Sequence, residues 1–427
     1  MRPATDPSHR GASQGGSPPI YKPGPDVRTT ALPGGGMMHV NPNARSRVST
    51  DAGGRIMAIE KPGLTARTFG SDGRAAHIER TRDDGSRVIV DRGFHDGRRV
   101  EVVRPGGVRV VTHGSVGFVE RPLRRDYVTR TYVVGGRSTV YVYRTGYYRS
   151  YPYWTYVPAV VYAPAYYGWA IRPWGLGVAY AWAPTPWMGV WGGWYTPERI
   201  YSTPALWLTD YAISDNLNVA YQMQLASGAP MQYVEPAQMG APLSPQVKGM
   251  LAEQVRQQLE ADQVAATQPV VQAAAAAGPA ALDPAIRLFV VSTSIDVVSS
   301  ANGQTCTLTP GDVVQRTSDS VTSDGKVSVV VVSGKSAECP ANFQTAFDLA
   351  TLQDMHNQFR ERIASGLDKL ASTAGTGGMP AAPAANPRLV PEGQAPVDGE
   401  AKNLLLAQTR EADQAEEEVK LAMDSAI

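Results

Sequence analysis

Cysteine is nearly missing from this chain: 427 residues include only Cys306 and Cys339. Two thiols inside one β-rich unit favour a disulfide over a metal site, which normally needs four ligands. Histidine is scarce too, with six copies, and neither charge dominates, since 40 basic residues stand against 39 acidic ones. The net charge of +1 hides an Arg-rich stretch over residues 45 to 150 and an acidic excess after Thr351, yet the acids mixed into the basic part argue against a nucleic-acid footprint. No Ser/His/Asp or Cys/His set, phosphate-binding glycine loop, His-Glu-x-x-His motif or carboxylate cluster can be assembled. The sequence therefore names no catalytic residue, no cofactor and no metal site, and the expectation is a protein that is not an enzyme. The start, Met1-Arg2-Pro3-Ala4-Thr5-Asp6-Pro7, lacks the apolar core of a signal peptide. The expectation is an extracytoplasmic protein (periplasm, cell surface or secreted) whose true start lies upstream of this Met.

What the chain does hold is aromatic residues in one place. All eight tryptophans and most tyrosines fall between Tyr127 and Tyr211, among frequent Pro and Gly. From Pro173 to Pro197 there is no charge, which is long enough to span a bilayer. Pro173, Pro184, Pro186 and Pro197 with Gly175, Gly177, Gly189, Gly192 and Gly193 argue against a spanning helix, because interior Pro costs about 3 kcal/mol and Gly about 1. Three readings remain for these rings: wrapping over the preceding sheet as a makeshift core, a platform for sugars or peptidoglycan, or a self-association surface. The candidate interaction surface is Trp169, Trp174, Trp187, Trp191, Trp194, Tyr166 and Tyr195.

Before that segment, short alternating pieces are separated by Asp72-Gly73, Asp84-Gly85, Asp96-Gly97 and Gly106-Gly107, the first three pairs twelve residues apart. That spacing fits strand, tight turn and returning strand, and predicts an antiparallel β-meander. A further hairpin is predicted where Gly135-Gly136 separates Thr131–Val134 from Arg137–Tyr143, with Arg130, Arg137, Arg144 and Arg149 placed to stack on neighbouring rings. His77, His95 and His113 are eighteen residues apart, but that period does not bring three side chains to one point, so strand or turn histidines are expected.

Helix starts are written at Thr203-Pro204 and Ser244-Pro245, where a hydroxyl caps free amides and Pro suits the first turn. Val247, Leu251, Val255 and Leu259 then recur every fourth residue, which marks an amphipathic helix. Leu288–Val291, Cys306–Leu308, Val313-Val314 and Val327–Val332 read as strands, with another around Phe343 to Phe347, and a helix follows from Asp348 or Thr351 to Leu370. Such short strands with tight turns suit a small barrel. Both cysteines lie in it, so a Cys306–Cys339 disulfide is expected, worth roughly 3 to 4 kcal/mol by loop entropy; reduced buried thiols are the alternative. A bridge implies an oxidising compartment.

Trp207-Leu208-Thr209-Asp210-Tyr211 and Leu308-Thr309-Pro310-Gly311-Asp312-Val313, following the aromatic segment, give the chain a pattern. It resembles a group of uncharacterised exported bacterial envelope proteins with a Tyr/Trp/Pro/Gly-rich segment and a C-terminal Src-homology-3-like barrel. The resemblance implies an envelope location and no established activity.

The expected fold is mainly β with accessory helices: an N-terminal antiparallel meander, an aromatic Pro/Gly-rich segment, and a small C-terminal β-barrel followed by a helix. The expected boundaries are a disordered tail at 1–52, the meander at 53–149, the aromatic segment at 150–202, helices at 203–267, an Ala-rich linker at 268–284, barrel plus helix at 285–371, and a disordered or acidic helical tail at 372–427. The expected role is a non-enzymatic structural or interaction protein whose aromatic segment mediates cohesion or self-association. The alternative is a carbohydrate or peptidoglycan-binding module that uses exposed Trp and Tyr. Expected partners are a second copy, another envelope protein, or a glycan or peptidoglycan, with no nucleic acid and no transmembrane helix.

Overall fold

The computed structural model describes residues 20–69, 73–93, 98–113, 116–226, 240–267, 278–335 and 339–424. Among these residues thirteen strands, from Arg28–Ala31 to Tyr151–Val157, hydrogen-bond in sequence order as an antiparallel meander. The fold is mainly β, with six helices among the described residues: α1 (Pro164–Ile171), α2 (Met188–Trp191), α3 (Pro204–Ala226), α4 (Pro245–Ala266), α5 (Leu349–Thr373) and α6 (Ala401–Asp424). Turn chemistry sets the meander. Gly135 and Gly136 adopt φ of 55° and 79°, the left-handed values a two-residue hairpin requires, and Val134 pairs with Arg137 across them. Gly85 closes the Asp84 turn in the same way at φ 79°. Asp96-Gly97 and Asp72 lie outside the described residues.

The chain forms two compact units. One comprises Met1–Arg92, Val100–Pro105 and Ala407–Ile427, the other Gly93–Arg99 and Gly106–Leu406.

In the first unit the strands alternate as a one-sided sheet must. Leu64 and Ala66, and Val88 and Val90, are buried at every second position, and Ile56 and Ile59 are buried on the strand beside Leu64–Phe69. Sequence without apolar periodicity had predicted a tail through residue 52. Instead Arg28–Ala31, Met37–Asn41 and Ser46–Thr50 are strands, because backbone pairing to the next strand makes up for sparse side-chain burial, which falls on His39, Val48 and Thr50. The acidic C-terminal segment belongs to the same unit. Ala412, Ala415, Val419 and Met423 form the buried stripe of α6, while Glu418 pairs with Arg80 at 2.6 Å and Glu411 with Arg104 at 2.8 Å and Arg82 at 3.1 Å. The two charge excesses seen in the sequence are partners.

In the second unit the meander runs past the expected limit of 149, since Tyr151–Val157 pairs with Arg137–Tyr148. Both predicted caps form: Thr203 Oγ1 accepts from the Leu206 amide at 3.1 Å, and Ser244 Oγ from that of Val247 at 3.2 Å. The stripe Val247, Leu251, Val255 and Leu259 is buried. Of the expected linker, 268–277 lie outside the described residues, while Ala280–Leu282 is a 3-10 turn with Ala281 buried.

The strands expected in the barrel form as an open sheet and a separate ribbon. Leu288–Val290, Val313–Arg316, Lys326–Ser333 and Gln344–Asp348 form a four-stranded sheet in that order, and Ile295–Val298 pairs with Thr305–Leu308 as a separate ribbon. No sheet closes among the described residues. The apolar side is covered by α5, whose Leu349, Leu352 and Met355 share one core with Phe289, Val314, Val329 and Phe347. Cys306 and Cys339, both fully buried, are joined with their Cα atoms 5.6 Å apart.

Candidate functional site

The aromatic segment turns inward. Tyr166, Trp187, Trp194 and Tyr195 are at most 2% exposed, Trp174 and Trp191 are 7% and 8%, and Trp169 packs half-buried beside them. The seven rings of the candidate interaction surface form no row open to solvent; they fill the space between helices. Tyr166 and Trp174 join Trp207, Leu259 and Leu367 in one core, and Trp187, Trp191, Trp194 and Tyr195 join Leu217, Leu251, Val290 and Val313 in another. Indoles and phenols suit this task because a backbone broken into the short helices α1 and α2 can still bury large rings, each aromatic pair adding about 0.5–1.5 kcal/mol beyond its area. Trp182 lies parallel to Trp207, centroids 5.7 Å apart.

Buried polar groups hold this interior in register. Asp210 accepts from Tyr195 Oη at 2.6 Å, Tyr201 Oη at 2.7 Å and the Glu198 amide at 2.5 Å, with Lys248 Nζ 3.2 Å away. Asp312 accepts from the Thr309 and Lys335 amides at 2.7 and 2.8 Å. The Lys335 ammonium is buried 2.9 Å from Asp312 and 4.6 Å from the Trp194 ring centre. The Arg stacking expected on the meander is met by Arg130, which is 2% exposed. Its guanidinium lies 4.6 Å from the Phe118 and Tyr143 ring centres and pairs with Glu120 and Asp354 at 2.8 and 2.9 Å. Beside it the Tyr143 hydroxyl donates to Glu361. Burial pushes the Glu361 carboxyl up to about 7, although that hydrogen bond and the charges of Arg362 and Arg130 pull it down. These networks are enclosed and serve packing.

One feature opens to solvent differently. A cavity of about 1000 Å³ lies within the second unit, lined by strands Arg137–Tyr148 and Tyr151–Val157, the α1 end, α4 and α5. Six tyrosines line it: Tyr127, Tyr148, Tyr153, Tyr156, Tyr162 and Tyr167. Burial raises the phenols of Tyr156 and Tyr162, and pushes that of Tyr167 up to about 12. They stay protonated and can donate. Gly146 makes room for one ring, since a Cβ there would come within 2.7 Å of Tyr153. From α5, His356 and Arg360 stand one helical turn apart on the cavity side. Arg360 is fixed by a bidentate pair with Asp262 of α4 at 2.8 and 2.9 Å. His356 makes no hydrogen bond to any described residue; burial first and Arg360 second push its imidazole down to about 3, so it is neutral.

Sequence reasoning missed this site. Its signals were the i, i+4 recurrence of His356, Arg360 and Ala364 on a helix whose apolar stripe was legible, and tyrosines on the last meander strand. Of the three spaced histidines, His77 meets Asp91 at 2.7 Å, His113 ends the strand Arg109–His113, and His95 lies outside the described residues. Among the described residues no helix is long and apolar enough to cross a membrane. No protein-family model, no curated protein and no solved structure matches the chain.

Proposed function

We propose that this is a non-enzymatic structural and interaction protein of the cell envelope, in which the aromatic segment supplies cohesion within the chain. The observation that carries this reading is the burial of Trp187, Trp194, Tyr166 and Tyr195 between α3, α4, α5 and the C-terminal sheet. The Cys306–Cys339 bridge supports an oxidising compartment outside the cytoplasm. The Src-homology-3-like barrel belongs to the same proposal, since its strands are present as an open sheet and ribbon. The reading is tested by iodide quenching of tryptophan fluorescence together with mass in solution. Shielded indoles in a monomer are expected; strongly quenched indoles, or a dimer whose dissociation exposes them, would overturn internal cohesion in favour of self-association.

A second reading is favoured by the cavity. Glycan binding, assigned from sequence to exposed tryptophans, is carried instead by the tyrosine-lined hollow of the second unit.

A further inference from the structure

We infer that this cavity binds a short uncharged oligosaccharide, with tyrosine rings facing the sugar rings and with His356 and Glu392 meeting its hydroxyls. The inference rests on the glycan-binding reading and names the site and the ligand class.

Size comes first. A hollow of about 1000 Å³ lies at the upper end of small-molecule sites, which run from roughly 300 to 1,000 Å³, so it holds about two or three sugar rings rather than one. Charge comes second. Three guanidiniums, those of Arg144, Arg360 and Arg388, face four carboxylates, those of Asp262, Asp283, Asp319 and Glu392. That near-balance selects neither a polyanion nor a polycation. Arg360 and Asp262 moreover neutralise each other in a bidentate pair, and Arg388 is engaged by the Ala266 carbonyl at 3.0 Å.

Unmet polar capacity comes third and points to hydroxyls. His356 lines the cavity with no hydrogen bond to the described residues, and a neutral imidazole offers one donor and one acceptor. The Glu392 side chain also has no such bond, and one of its carboxylate oxygens is enclosed without a partner. The enclosed Glu392 oxygen lacks a partner, so a ligand hydroxyl that reaches it makes a bond the protein alone does not. A hydroxyl can serve an acceptor-only carboxylate and a donor–acceptor imidazole at once. The tyrosines add the apolar part, since the C–H faces of a pyranose pack on ring faces while phenol hydroxyls reach its edges.

The test titrates the full chain calorimetrically with two probes, the β-1,4-linked trimer of N-acetylglucosamine and the α-1,4-linked trimer of glucose. Saturable binding of at least one trimer is expected, weakened tenfold or more in His356→Ala and in Glu392→Gln. Tyr147→Ala, at a position 74% exposed and outside the cavity lining, should bind as the parent does. Because a cavity variant can lose its fold, the parent is also followed by nitrogen NMR of the His356 ring, whose signals should move in step with saturation. Binding with unmoved His356 signals and undiminished affinity in both variants would overturn the site while leaving glycan binding in place. No binding of either trimer to the folded chain would overturn the glycan reading and the site together, with the internal role of the tryptophans untouched.

Discussion

Glu361 sits on α5 against the last strands of the meander, 4% exposed, with the Tyr143 hydroxyl directed at it. Its carboxyl titrates near 7 in the folded chain, above the ordinary value of about 4.3 for a free Glu. The folded state thus binds this proton more tightly than the unfolded state does. The associated stability is full below about pH 4 and is lost as pH rises through 7, by about 3 kcal/mol in all. In Glu361→Gln the decline in unfolding free energy between pH 5 and pH 8, measured by urea denaturation, should flatten by that order; an unchanged decline would show that the carboxyl titrates normally. His356 acts with opposite sign. Its imidazole is held down near 3, so its contribution is present above about pH 6.5 and is lost as pH falls toward 3. Neither residue stood out in the sequence, because burial dominates the chemistry of both and Glu361 also meets Tyr143 from a distant strand.

Among elements, the C-terminal sheet carries the covalent tie. Cys306 and Cys339, 33 residues apart, close the ribbon strand onto the loop after Lys326–Ser333. Loop entropy puts the bridge at roughly 3–4 kcal/mol. Reduction, or Cys306→Ser with Cys339→Ser, should lower the urea midpoint and speed amide exchange in Leu288–Val290 and Lys326–Ser333, while a midpoint equal to the parent's would mean that the open sheet stands without it. Elements of this kind were the legible part of the chain. Thr203-Pro204 and Ser244-Pro245 marked helix starts to the residue, and Gly135-Gly136 fixed a hairpin, because caps and left-handed turns are decided by neighbours in sequence. Sheet closure was not legible, since it depends on which edges meet, and α5 covers the side of the sheet that a barrel would fold inward. Nor was the direction of the rings: burial of Trp187 or Trp194 depends on Leu251, Val290 and Val313, contributed by segments far along the chain.

At the scale of the whole molecule, the first unit is discontinuous, drawing strands up to Arg92 together with residues from Ala407 onward. Ion pairs such as Arg80–Glu418 are partly exposed and contribute about 0.2–1 kcal/mol each. The larger share comes from the stripe Ala412, Ala415, Val419 and Met423. A chain ended after Leu406 should therefore lose exchange protection in Ala75–Thr81 and Arg87–Arg92 but keep the shielded tryptophan emission of the second unit. Full protection of those strands in the shortened chain would show that α6 adds nothing to them.

The pairing of Arg80 with Glu418 across 338 positions bears on how the molecule is made. Arg80 and Arg104 leave the ribosome long before Glu418 and Glu411 are made, so the first unit is completed only when the last residues of the chain have been synthesised.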